Sequence, residues 1–177
     1  MDLLDQLRII YSDNNQLVLF AEAKNAGLIA LNVAIIIGIA TIYSGGPPLW
    51  SFLWWAITYV IALNVLAAVI ALSALGAQKL PRELDSTATP DDNYLFFGTV
   101  SHLSAEALLE GVKNKYTLAS QAPALELDQA RQAVIIAQIA TRKFTRFNYA
   151  LAFTMSSLVS PLGFLIYYFA FYPNRKG

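Results

Sequence analysis

Chemistry in this chain would begin at a few cations and amides beside long uncharged stretches. Lys24 and Asn25 stand at the start of one such stretch, and Arg142, Lys143 and Arg146 at the start of another. Cations so placed can hold a phosphate through charge-assisted hydrogen bonds; the plainer alternative is that each is a snorkelling anchor whose aliphatic stem lies along apolar surface. The string Asn93-Tyr94-Leu95-Phe96-Phe97-Gly98 offers aromatic faces beside a flexible glycine, which suits stacking on a nucleobase but equally suits core packing. Asn25, Asn32 and Asn64 lie inside uncharged stretches, where an amide needs a hydrogen-bonding neighbour or a wet cavity. Asn25 and Asn32 are seven positions apart and share a helical face, which would line a subunit interface or a pore, or tie helices together.

Other chemistry is poorly provided for. The chain has no cysteine and a single histidine, His102, which rules out thiolate and multi-histidine metal sites. No phosphate-binding loop, dinucleotide fingerprint or nucleophile elbow is present, and Asp91-Asp92 reads as a solvated turn. We therefore expect no catalytic residues, no metal and no cofactor. The formal net charge is zero and the basic residues form no stripe, so a DNA or RNA polymer is not an expected partner.

The elements that position these residues follow from charge. Residues 25–78 are 54 consecutive positions without Asp, Glu, Lys or Arg, interrupted by Ser44-Gly45-Gly46-Pro47-Pro48. That pattern predicts a membrane hairpin. Only 14% of the chain is charged and its mean hydropathy is +0.49, whereas soluble domains carry about 25% charged residues. A hydrocarbon core of about 30 Å needs roughly 20 helical residues, and spans are predicted at about 25–43, 49–74 and 147–172. Pro161 should kink the third, while Trp50, Trp54, Trp55, Tyr167, Tyr168 and Tyr172 suit headgroup depth.

The predicted fold class is an all-α membrane protein with three transmembrane helices, long cytoplasmic helix extensions and a mainly helical cytoplasmic insert between spans two and three. The N-terminal helix covers 1–24, the hairpin 25–76, the insert and following helix 77–146, the third span 147–172 and an external tail 173–177. Basic residues set the orientation: Lys24, Lys79, Arg82, Arg142, Lys143 and Arg146 would face the cytoplasm, leaving Arg175 and Lys176 outside. In the insert, 81–90 reads as a linker, Ser104 as a helix cap with Glu106 in the first turn, and Pro123 as a break. Leu127, Ala130, Val134, Ala137, Thr141 and Phe144 predict one long helix entering the membrane, and Leu3, Leu7, Ile10, Leu17 and Phe20 predict a matching N-terminal face. Those faces need each other or another subunit, so a homo-oligomer is expected.

Three strings in this order resemble the Pycsar effector family, small transmembrane proteins of bacterial anti-phage systems. They are Phe20-Ala21-Glu22-Ala23-Lys24-Asn25-Ala26-Gly27-Leu28, Asn93-Tyr94-Leu95-Phe96-Phe97-Gly98 and Ala140-Thr141-Arg142-Lys143-Phe144. Glu22 stands where an aspartate is expected and Asn25 where alanine is common. The resemblance implies a non-enzymatic receptor in the bacterial inner membrane that binds a cyclic pyrimidine mononucleotide, cCMP or cUMP, and then impairs the membrane, causing abortive infection. Carried onto this sequence, it places the ligand near Lys24, Asn25, Asn93, Phe96, Phe97, Arg142 and Lys143, with Asn32 and Asn64 lining or joining the spans. The competing readings are a constitutive membrane scaffold without a small ligand and a pore that needs no activator.

Overall fold

The computed structural model describes residues 2–44, 51–76, 89 and 91–171. The expected turn at 45–48, most of the 81–90 linker, Lys79, Arg82, Trp50, Tyr172 and the tail with Arg175 and Lys176 lie outside the described residues, as do the side chains of Tyr167 and Tyr168. The described residues form helices joined by turns, with no strand among them: α1 (Leu3–Ser44), α2 (Ser51–Leu75), α3 (Phe97–Val100), α4 (Ala105–Tyr116) and α5 (Pro123–Phe171). The chain divides into two compact units. The first holds residues 1–23 and 76–145, and the second 24–75 and 146–177.

Local chemistry accounts for the helix starts. Asp2 Oδ1 accepts from Asp5 N at 2.7 Å at the head of α1. Ser104 Oγ accepts from Ala107 N at 3.1 Å at the head of α4, with Glu106 in the first turn and Lys113 and Lys115 in the last, matching the helix dipole. α4 ends at Thr117 in a left-handed conformation (φ 54°), after which Leu118 N donates to Lys113 O at 3.0 Å.

α5 begins on Pro123, whose missing N–H costs nothing in a first turn. Glu126 then reaches back: its carboxylate accepts from Gln121 N at 2.9 Å, Ala122 N at 3.1 Å and Ser120 Oγ at 2.5 Å while almost fully buried. Burial pushes its pKa up, but the hydrogen bonds from Ser120, Gln121 and Ala122, with the charge of Lys113, outweigh it and hold the group below its usual 4.5. A lowered folded-state value means that this carboxylate stabilises the fold above pH 4.5 and that the contribution is lost as pH falls through the folded value. Glu126→Gln is thus expected to lower the melting temperature at pH 7 and to flatten its decline between about pH 5 and pH 3. Thermal scans across that range check it.

In the first unit, Leu3, Leu7 and Ile10 of α1 pack with Tyr94, Val100, Leu103, Leu108 and Val112 and with Ala130, Ala133, Val134 and Ala137 of α5. The small residues of α5 permit close helix approach, and the bulky ones contribute on the order of 1.5–3 kcal/mol each by burial. Beyond Ile10 the α1 face departs from expectation. Asn14, Val18 and Ala21 are buried, whereas Leu17 is only half-buried and Phe20 is exposed. The apolar pattern passes over Asn14, so it selects positions rotated away from the seam that packing actually uses.

A turn hung on α4 presents the aromatic string. Tyr94 is buried, donates its hydroxyl to Thr89 O at 3.0 Å and lies under the Lys115 ammonium, 5.5 Å from the ring centroid. Its ring sits against the backbone of Gly111, where a Cβ would overlap both ring and hydroxyl. Asn93 Oδ1 accepts from Leu95 N at 3.1 Å, closing the turn before Phe96.

The second unit is built from the far parts of α1 and α5 with α2. Two helices are long and apolar enough to cross a membrane, Leu3–Ser44 and Leu53–Leu75, with hydropathy 2.2 in each; only 11% and 28% of their apolar windows are buried. A soluble core helix would hide such a window. Ile37, Ile42, Trp55, Val69, Leu72, Leu158, Leu162 and Ile166 all point outward, as lipid-facing residues do. The interior is made of small and polar groups: Leu28, Ala71 and Ala150 form one layer, and Ala67 and Ala74 are fully buried on α2. α5 continues as helix through Pro161.

One turn above the Leu28 layer, Asn32 and Thr154 join α1 to α5. Asn32 Nδ2 lies 2.7 Å from Leu28 O and 3.0 Å from Thr154 Oγ1, and Thr154 Oγ1 lies 3.1 Å from Asn32 Oδ1 and 3.0 Å from Ala150 O. Asn64 Nδ2 donates to Val60 O at 2.8 Å; its Oδ1 meets no hydrogen-bonding group among the described residues. Arg146 donates to the Ser73 carbonyl near the C-terminal end of α2. Asn32→Leu and Thr154→Val should each destabilise this bundle by about 1 kcal/mol, with a coupling of roughly 0.5–1.7 kcal/mol in a double-mutant cycle. Unfolding in detergent or bicelles measures it.

Candidate ligand site on the first unit

Of the residues that sequence reasoning singles out, the first unit carries Asn93, Phe96, Phe97, Arg142 and Lys143, and the second carries Lys24, Asn25, Asn32 and Asn64. The candidate site is therefore built on the first unit alone. Lys24 is exposed with its ammonium 5.3 Å from the Phe147 ring centroid, and Asn25 is fully buried. Asn93 is exposed and engaged in its turn. Arg142 is half-buried.

Lys143 is the unusual member. Its side chain is 4% exposed, and its ammonium holds Glu22 Oε1 of α1 at 2.9 Å, with Glu22 42% exposed. A buried ammonium requires a counter-ion, because leaving a charge unaccompanied in a poorly solvated site costs on the order of several kcal/mol. The other described ion pairs, Arg8 with Asp5 and Arg131 with Asp128, are exposed and lie within one helix. Glu22–Lys143 joins two helices.

An aromatic run also links α1 and α5. Phe144 follows Lys143 on α5 and meets Phe97 at 5.5 Å and Phe20 at 6.4 Å between ring centroids; Phe97 meets Phe96 at 5.0 Å. Phe96 and Phe20 are each about half exposed, 51% and 52%. The first unit thus carries half-exposed aromatic rings and a cation screened from water. Such a pairing suits a planar, anionic ligand: stacking contributes about 1–3 kcal/mol per base, and a hydrogen bond to a charged group about 1.5–3 kcal/mol.

Sequence reasoning missed Glu22 as the counter-ion of Lys143, Phe20 and Phe144 as members of the aromatic run, and Thr154 as the mate of Asn32. Glu22 stands two positions from Lys24 in the sequence, yet the structure pairs it with a lysine on another helix. The available signal was helical: Ala21, Asn25, Leu28 and Asn32 are all buried and separated by four, three and four positions, a seam that continues Leu7, Ile10, Asn14 and Val18.

Long helices, two of them apolar enough to cross a membrane, joined to a polar helical unit define the class of an all-helical membrane-associated protein. The model of the Pycsar effector protein domain matches residues 6–170. The Pycsar effector protein RsPycTM from a Rhizobium species is 31% identical over 137 residues, which is 74% of this chain and 76% of that relative. No solved structure matches the chain. This chain belongs to the Pycsar effector family, and is thereby a membrane effector of anti-phage defence.

Proposed function

We propose that the protein is a non-enzymatic, cofactor-independent receptor for a cyclic pyrimidine mononucleotide, cCMP or cUMP, whose binding leads to impairment of the bacterial inner membrane and abortive infection. The observation that carries this reading is the buried Lys143 side chain, held by Glu22 across α1 and α5, on the same unit as the half-exposed rings of Phe96 and Phe20. In this reading the ligand's single phosphodiester charge meets Lys143, with Arg142 close in sequence, and the pyrimidine stacks on the aromatic run.

The proposed arrangement in the membrane has three spans, the third supplied by the final part of α5, with the N-terminus and the insert cytoplasmic and the C-terminus outside. A homo-oligomer makes the switch sharper: a tenfold preference for the active state supplies about 1.4 kcal/mol per site, and several sites acting together can overturn a strongly biased resting state.

Calorimetry of the detergent-purified chain against cCMP, cUMP and cAMP tests it. Saturable heat with one of the pyrimidine ligands and none with cAMP is expected. Silence toward all three, with helicity and particle size intact, would sink the receptor reading and favour a scaffold.

A further inference from the structure

We infer that Glu22 is the resting occupant of the position a ligand phosphate takes, so that an anion enters the site by displacing this carboxylate from Lys143. The inference rests on the cyclic-nucleotide reading above. The pair is asymmetric: the Lys143 side chain is 4% exposed and the Glu22 side chain 42% exposed, with the charged groups 2.9 Å apart. The cation is fixed in the packed interior, while its counter-ion sits half in water on an adjoining helix.

A buried lysine that loses an anionic partner is penalised, so an occupant of like charge is favoured over none. A phosphodiester monoanion meets the same demand with the same charge. Exchange therefore leaves the charge of the enclosed position unchanged and returns Glu22 to full hydration. The free-energy gap between the two occupants is smaller than either binding energy alone, and only that difference selects a state.

Displacement also has a structural consequence. Glu22 and Phe20 lie on α1 two positions apart, and their respective neighbours Lys143 and Phe144 are adjacent on α5. Releasing the carboxylate removes the described ion pair between these helices and leaves the aromatic contact. The ligand thus trades a helix-to-helix tie for a helix-to-ligand tie.

Calorimetry on the full chain with cCMP and cUMP compares the wild type with Glu22→Gln and Glu22→Asp, each checked for helicity and particle size. Removing the competing charge is expected to tighten Kd for the responding nucleotide about tenfold, or about 1.4 kcal/mol. Glu22→Asp, too short to keep the same contact, should fall between; it decides the question alone if the glutamine variant does not fold. Equal affinities in a binding wild type and the variants overturn displacement and leave the receptor reading standing. Weaker binding by the variants makes Glu22 a ligand contact and also overturns it. A wild type that binds neither nucleotide takes down both readings.

Discussion

Gly111→Ala will loosen the first unit, with an expected loss of about 3 kcal/mol in unfolding free energy. The new methyl would overlap the Tyr94 ring and hydroxyl. Tyr94 has little freedom to give way: it is 2% exposed, its hydroxyl is tied to Thr89 O, and Lys115 covers its face. Backing α4 away would open the Leu108 and Val112 contacts of the core. Because the turn bearing Phe96 hangs on Tyr94, ligand affinity should fall with stability. Urea unfolding gives the loss directly, and Gly111→Ala combined with Tyr94→Leu should recover at least about 1 kcal/mol relative to additivity. Strict additivity would show that the methyl and the ring never meet.

The second large effect belongs to Lys143. Lys143→Met keeps the length and most of the volume of the side chain while deleting its charge, and should weaken cyclic nucleotide binding by about 10- to 100-fold, the worth of one charge-assisted hydrogen bond of about 1.5–3 kcal/mol. Stability should change far less. Glu22 is 42% exposed and recovers water once its mate is gone, while a thioether is better suited to the buried position than an ammonium. Loss of response together with retained melting temperature is the informative combination. Unchanged nucleotide affinity would remove Lys143 from the site.

The secondary structure of this chain is legible in its sequence because the signals are local. Charge-free runs mark apolar helices, Ser104 followed by Glu106 marks the head of α4, and Pro123 marks the break before α5. Even so, Pro123 is the first residue of that helix, since a first-turn proline forfeits no hydrogen bond.

The site is less legible. Lys143 stands out as a cation at a helix mouth, but its burial and its pairing with Glu22 depend on two helices lying side by side, with 120 residues between them in sequence. The same holds for Asn32 and Thr154. Phe20 looks like a core residue by type, yet Asn14 shifts the buried seam and leaves the ring half exposed.

The boundary between the two units falls inside helices, between Ala23 and Lys24 in α1 and between Thr145 and Arg146 in α5. The junctions are therefore phase-sensitive, as a keyed shaft is. Adding one residue at either junction turns everything beyond it by about 100° relative to what precedes it, whereas adding seven returns it to within about 20° of its original phase. A graft that replaces either unit by a foreign one must match helical angle at two junctions at once. Exchange between relatives is thereby favoured between partners cut in the same phase, and insertions of seven, eleven or eighteen residues, which close on whole turns to within about 20°, disturb that phase least.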